Sequence, residues 1–372
     1  MHFPLRLKSS FALSRVDFIS CLVGILIAIP WAYPADPIYI TPFIGLILLV
    51  AIGKTRARSG WRFKTLCAII LLIYGSILNL LIANSVDSAI SHIGFSAILA
   101  LSFVYFLASR PRDILLGFSF VMLGLSVYMI CLIFSLGFFP DYLSLKIFGS
   151  NQRRFLADYI MGWPNVFATM QIMAAFFFRE CKFKYFSLFI AMSSLLTTSR
   201  SSILGIILFL LPEFDSGRRF LSARSVICLS ILAMATFALL HYFPDDFIAN
   251  RLAKVDDRST IYSFLIEKFA GNPFGFGSVD IESLGANFSY VSYHNSFLKI
   301  SIRYGVFGLV FFVLLLLPVK FKRLLSRRYV PAFYLLLVSF FQDFILQANL
   351  FVIYFVLLAY IDDEDQSGFA RG

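Results

Sequence analysis

The residues with the clearest chemical potential stand where a polar stretch meets an apolar run. Tyr293-His294-Asn295-Ser296 opens such a run, and Lys299 and Arg303 follow Asn295 at i+4 and i+8. On a helix these three fall close to one face. A helix N-terminus presents N–H groups and the positive end of the dipole, which suits an anion such as a phosphate. His294, just ahead of it, can take a proton near neutral pH. The structural alternative for His294 is an interfacial histidine bonded to a carbonyl. A second polar turn is Thr197-Thr198-Ser199-Arg200-Ser201-Ser202. The apolar run after it, 201–213, covers roughly 20 Å at 1.5 Å per residue, less than the ~30 Å of a hydrocarbon core. Arg200 therefore belongs at membrane depth, where an arginine is costly and marks function. Its alternative is snorkelling to headgroups. Asp343, inside Phe340-Phe341-Gln342-Asp343-Phe344, reads as a partner for Arg303 or Arg200, with substrate contact the other reading.

Other polar features carry less. Asp256-Asp257-Arg258 has no further acidic residue at metal-ligand spacing, so the pair reads as a solvated turn. The glycines of Gly271-Asn272-Pro273-Phe274-Gly275-Phe276-Gly277 lack the strand–loop–helix context of a phosphate loop. His2, His92 and His241 form no ligand set. Neither a metal nor a cofactor is expected. Arg200, Arg258, Lys299 and Arg303, with His294 at the edge, make an outward-facing recess suited to a membrane-embedded anion. A lipid-linked diphosphate fits that description, because guanidinium groups bind phosphate oxygens in pairs.

The elements that must position these residues are membrane spans. Of 372 residues, 59% are hydrophobic and 14% charged, against about 25% charged in a soluble domain. Mean hydropathy is +0.84. By the rule of ~20 apolar residues per span, about twelve spans are expected. They lie near 17–33, 38–53, 65–84, 88–109, 114–138, 160–177, 184–199, 201–213, 224–243, 295–318, 331–346 and 349–361. The fold class is all-α and polytopic, a single transmembrane domain over 1–372 with one long outer loop, 244–294, between the ninth and tenth spans. The shorter outer segment 139–159 also exceeds what a connector needs. The first run lacks a small-residue cleavage site, so it is expected to stay as a span. None of the five cysteines falls in an outer segment, so no disulfide is expected.

The net charge of +11 would suggest nucleic acid in a soluble protein. Here it is a topology signal, and no nucleic acid partner is expected. Twenty-two of the 32 Lys and Arg fall on one side, in loops such as Lys54–Lys64 and Lys320–Arg328. The positive-inside rule makes that side cytoplasmic, with both termini inside. The other ten include Arg154, Arg200, Arg258, Lys299 and Arg303, which need another reason to exist.

These residues resemble a known family, the O-antigen ligase and O-antigen polymerase superfamily of bacterial inner membranes. His294-Asn295, nine residues, then Gly305-Val306-Phe307-Gly308 is similar to the ligases' H-[NSQ]-x9-G-x-x-G pattern. Ser199-Arg200 with Gly205 resembles the family's S-R-x4-G turn. Arg258 leading to Asn272-Pro273-Phe274-Gly275-Phe276-Gly277 resembles its R…nPlfGxG loop. Arg154 followed by Pro164-Asn165 is a fourth, weaker likeness. The set runs in the family's order from about 150 to 310. Two departures stand out: Tyr262 where relatives usually have Trp, and Arg303 at a position often acidic in relatives, so no family role passes to Arg303.

The resemblance implies a metal-independent glycosyl transfer at the periplasmic face of the bacterial inner membrane. The donor would be a glycan on undecaprenyl diphosphate. The acceptor would be lipid A–core in a ligase, or a second lipid-linked repeat unit in a polymerase. Arg200 and Arg258 would hold the diphosphate as it leaves, and His294 would activate the acceptor hydroxyl. By their own placement, apart from the resemblance, Asn295, Lys299, Arg303, Arg154 and Asp343 are expected to contact substrate. Membrane lipids would be further partners, as would chain-length regulator or flippase proteins. A lipid-linked glycan flippase is the alternative of another class. It would favour related halves and midplane sites, and the chain shows no internal repeat.

Overall fold

The computed structural model describes residues 17–28, 59–82, 110–135, 164–197, 199–210, 260–277, 284–285, 295–317, 329–340 and 348–369. The spans expected at 38–53, 88–109 and 224–243 lie outside them, as does most of the 244–294 loop. The described residues are 90% helical, with no strand among them. In chain order the helices are α1 (Phe18–Ala28), α2 (Ser59–Ile82), α3 (Pro111–Ser135), α4 (Pro164–Glu180), α5 (Lys184–Ser193), α6 (Arg200–Leu210), α7 (260–271), α8 (Ser296–Leu316), α9 (Val330–Ser339) and α10 (Ala348–Phe369). Of these, α3 and α8 are long and apolar enough to cross a membrane, by length and composition.

Proline stands at the first position of α3 and of α4, where its missing N–H costs nothing. A 3-10 turn, Ser194–Thr197, ends α5 and leads into α6. Serine and threonine inside the helices bond carbonyls of their own turn, as Ser126 does with Met122 at 2.7 Å and Ser339 with Leu335 at 2.7 Å. That satisfies each hydroxyl without a partner helix. Helices α1 and α3 pack closely, with Gly24 against the main chain of Ile114 and Phe118 and Gly117 against that of Cys21, the small-residue packing usual between spans.

Among the described residues, two helices form the interior. Every residue of α4 from Val166 to Phe178 is buried, and so is every residue of α10 from Leu350 to Ile361. Rings interlock there: Phe312 stacks on Phe351 at 6.3 Å, and Phe177 meets Tyr360 edge-on at 5.6 Å.

Helix α2 begins at Ser59, six residues ahead of its expected start at 65. The charge that ended the apolar run, Lys64, is 2% exposed. Its ammonium donates to the Leu315 carbonyl at 2.5 Å and to the Leu317 carbonyl, and lies 5.7 Å from the Phe355 ring. Lys64 thus caps the C-terminus of α8, where terminal carbonyls and the dipole favour a cation. Tyr354 adds its hydroxyl to the Leu316 carbonyl at 2.5 Å. Arg179, in the last turn of α4, treats α6 in the same way. It donates to the Phe209 carbonyl, and its guanidinium sits 5.1 and 4.6 Å from the Phe176 and Phe209 rings.

Part of the expected outer loop is helical. In α7, Ile261 and Leu265 are buried together with Ile302 of α8, and Phe264 and Phe269 pack around them. A short amphipathic helix with Glu267 and Lys268 on its polar face escapes a search for long apolar runs. The orientation drawn from the basic residues makes an expected outcome here. A reporter fused after Gly285 should be active in the periplasmic form. Activity only in the cytoplasmic form would refute that orientation.

Candidate functional site

The first part of the site is a break in α8. Asn295 adopts an extended conformation, φ −151°, and its side-chain oxygen accepts from the Phe297 and Leu298 amides at 2.9 and 3.0 Å. It is an N-cap, which makes the helix start at Ser296. The cap also occupies two of the amides that an anion would otherwise meet. The helix then breaks at Gly305, with φ 63° and ψ −162°. That region is open essentially to glycine alone.

What fills the break is the glycine-rich loop that follows α7. The Phe276 amide donates to the Ile302 carbonyl at 2.8 Å, and the Gly277 amide to the Arg303 carbonyl at 2.9 Å. In return the Val306 amide donates to the Pro273 carbonyl at 2.8 Å. Broken helices persist at membrane depth only where other protein groups satisfy the freed main chain, and this loop does so. The approach is too close for side chains. A Cβ on Gly275 would lie 2.6 Å from the Arg303 oxygen, and one on Gly305 would lie 2.2 Å from the Pro273 oxygen. Asn272 shapes the loop: its amide nitrogen donates to the Gly275 carbonyl at 2.9 Å, and its oxygen accepts from the Phe274 amide at 3.3 Å. The Tyr74 hydroxyl of α2 fixes the tip through the Phe274 carbonyl at 2.7 Å.

The second glycine of the G-x-x-G pattern has a separate reason. After the break, Gly308 comes to lie over Tyr304, and a Cβ there would be 2.1 Å from the Tyr304 Cβ. The Tyr304 ring in turn lies on Gly75 of α2. Tyr262, which replaces the family's usual Trp, packs against the cluster of Ile261, Leu265 and Ile302.

The second part of the site joins the start of α6 to the start of α4. The Ser199 hydroxyl donates to the Asn165 side-chain oxygen at 2.6 Å and lies 2.6 Å from the Ser201 hydroxyl. Ser201 reaches the Asn165 carbonyl at 3.2 Å. Behind them the Thr197 and Ser202 hydroxyls lie 3.0 Å apart, both within hydrogen-bond distance of the Ser194 carbonyl. From α9, the buried Tyr334 hydroxyl lies 3.0 Å from the Ser201 carbonyl and 3.5 Å from the Thr169 hydroxyl. Gly205 allows α6 to lie against Ile172 of α4. The turn that begins with Ser199-Arg200 is therefore tied to α4 through Asn165, to the 3-10 turn through Ser194 and Thr197, and to α9 through Tyr334.

The residues singled out in the sequence fall as follows. Asn295, Lys299 and Arg303 share the first half of α8, with Lys299 and Arg303 half-buried. Arg200 is the first residue of α6, and its side chain lies outside the described residues. His294, Arg258, Arg154 and Asp343 also lie outside them. Stretches far apart in sequence meet in pairs: Asn272–Gly277 with Ile302–Val306, and Asn165 with Ser199–Ser201. Tyr334, Tyr74 and Thr169 were not singled out. Their only mark in the sequence is a hydroxyl in an otherwise apolar run, and such a hydroxyl needs a partner when buried. Among the described residues, no three His, Cys, Asp or Glu side chains group as metal ligands.

Both pairs bear on a comparison with known families. Residues 185–313 match the O-antigen ligase family. The match takes in 129 of the 372 residues. It includes Arg200, Arg258, His294, Asn295, Lys299 and Arg303, and it leaves out Arg154 and Asp343. Both halves of the α8 clasp lie inside the O-antigen ligase match, as does the Ser199–Ser201 turn. The family is membrane-associated, and its members are glycosyltransferase-type enzymes of ligase or polymerase kind. No curated protein and no solved structure gives a match to the chain.

Proposed function

We propose that the protein transfers a glycan from undecaprenyl diphosphate to a sugar hydroxyl at the periplasmic face of the inner membrane, as an O-antigen ligase does. The observation that carries this reading is the clasp: two separate stretches of the ligase-like pattern, Asn272–Gly277 and Asn295–Gly308, join main chain to main chain within the matched segment. A catalytic group ahead of α8 and a phosphate-binding group ahead of α7 need such a fixed frame, because misplacement by an ångström costs rate heavily.

In this reading the acceptor oxygen attacks the anomeric carbon of the donor sugar. His294 takes the hydroxyl proton. The bond between that carbon and the diphosphate oxygen breaks, and undecaprenyl diphosphate leaves with the electron pair. Arg200 and Arg258 offset the charge that develops on the leaving group. Lys299 and Arg303, one and two turns into α8, extend the positive wall, and Arg154 and Asp343 complete the contacts to substrate. No metal takes part, so a chelator leaves the rate unchanged.

Ligase and polymerase bind the same donor and differ in the acceptor. The purified protein, given a lipid-linked glycan, is expected to place it on lipid A–core. Product only as longer lipid-linked chains would establish the polymerase. The broken α8 is also a device of transporters, so the purified protein reconstituted in vesicles is assayed for flipping of the donor as well. Movement of the donor across the bilayer with no new glycosidic bond would overturn the enzymatic reading.

A further inference from the structure

We infer that Tyr334 is a positioning residue for donor binding, acting through the first turn of α6. The inference rests on the reading that Arg200 holds the donor diphosphate. Tyr334 belongs to α9, far from the ligase-like pattern in sequence and outside the matched segment. It is fully buried, and a buried tyrosine hydroxyl is placed by its partners. One partner is the carbonyl of Ser201, at 3.0 Å, the residue next to Arg200. The other is Thr169, at 3.5 Å, whose hydroxyl donates to the Asn165 carbonyl at 2.9 Å. The Ser201 hydroxyl reaches that same Asn165 carbonyl at 3.2 Å. These contacts close a ring: Tyr334 donates to Ser201, Ser201 and Thr169 each donate to Asn165, and the Tyr334 and Thr169 hydroxyls meet at 3.5 Å without a shared proton. The ring fixes the main chain that carries Arg200 to α4 and to α9 at once.

A helix start is the place where such bracing is needed. The first turn lacks the incoming hydrogen bonds that stiffen a helix interior. A guanidinium that binds a diphosphate in pairs demands orientation as well as proximity. The Tyr334 hydroxyl supplies the direction that the serines alone leave open, because it approaches from a third helix. Gln171 provides the comparison. It bonds Ser126 at 2.8 Å and Ser193 at 3.1 Å, equally buried, and joins α3, α4 and α5 with no bond to α6. It is interhelical glue of the ordinary kind.

The experiment is a double-mutant cycle on the full-length protein in nanodiscs. It reads initial rates against donor and acceptor, and binding of undecaprenyl diphosphate as the probe. Tyr334→Phe is expected to raise the donor KM and weaken probe binding by roughly three- to tenfold, the effect of losing one buried hydrogen bond. The acceptor KM stays unchanged. A purely structural role would lower the active fraction, and so the apparent kcat, without moving the donor KM. Gln171→Met is expected to behave in that way. Combined with Arg200→Ala, Tyr334→Phe should add nothing further, because both act on one contact. Additive effects, or an unmoved donor KM in Tyr334→Phe, would overturn the inference while leaving the role of Arg200 intact. An unmoved donor KM in Arg200→Ala would remove the reading on which the inference rests, and the inference with it. Should Tyr334→Phe not accumulate, Thr169→Val opens the same ring from the other side and is read by the same criteria.

Discussion

Gly305→Ala is expected to leave little folded protein in the membrane. The backbone at Gly305 sits in a region that costs a side-chain-bearing residue about 1–3 kcal/mol. The added Cβ would also fall 2.2 Å from the Pro273 oxygen and 2.4 Å from the Phe274 carbonyl carbon. Both are main-chain atoms that cannot rotate aside. The loop would have to leave the break, and the Ile302 and Arg303 carbonyls and the Val306 amide would lose their partners. Each buried main-chain group left unsatisfied costs about 1–3 kcal/mol, so the sum rivals the 5–15 kcal/mol that holds a typical domain together. Protein level by immunoblot, thermal unfolding in detergent and proteolysis at 271–277 measure the outcome. Gly124→Ala serves as the control, since a Cβ there meets nothing within 4 Å. A Gly305→Ala protein with wild-type level, unfolding and protease pattern would show that the loop does not occupy the break.

His294→Ala is expected to lower the rate of transfer by on the order of 10²–10⁴, the usual effect of removing a general base. Undecaprenyl diphosphate binding should stay nearly intact, because the histidine is assigned to the acceptor hydroxyl. Residue 294 precedes the Asn295 cap in sequence, and it is Asn295 that makes the bonds starting α8. Replacing it therefore leaves the hydrogen bonds of α8 in place, and the loss should appear in kcat with little change in protein level. The assay is transfer by purified protein at saturating donor, with whichever acceptor proves active. Undiminished transfer by His294→Ala would remove this mechanism for ligase and polymerase alike.

Much of the helical content was legible because an apolar run of sufficient length has few other fates. The expected 114–138 and 201–213 correspond to Pro111–Ser135 and Arg200–Leu210. The errors have physical causes. Lys64 looked like the end of a span because a lone charge is unfavourable there; the structure gives it the carbonyls of α8. Helix α7 was missed because its apolar face is narrow. The inward faces could not be read at all. In water, apolar periodicity points to the core, but next to lipid an apolar face is equally acceptable outside. That α4 and α10 are interior, while Phe63, Ile73 and Leu81 of α2 are exposed, is therefore a property of packing alone. For the candidate site, spacing along the chain identified the segments that matter. It could not reveal that the glycines of two distant stretches exist for each other, since the fit of Gly275 to Gly305 appears only when the main chains touch. The hydroxyl of Tyr334 was hidden among 17 tyrosines and 45 phenylalanines.

The burial of α10 has a consequence for how the protein is made. Of the described helices it leaves the ribosome last, yet it lies against α1, α3 and α9 in the middle of the bundle. In the multi-pass reading proposed above, the earlier helices enter the bilayer without this neighbour, so lipid must stand in for it during synthesis. Closing the bundle then means expelling that lipid and admitting α10 along its whole length. The terminal carbonyls of α8 receive the Tyr354 hydroxyl only at that stage. Assembly around α8 thus waits for α10, and the braced frame around the break in α8 is completed after translation of the segment that contains it.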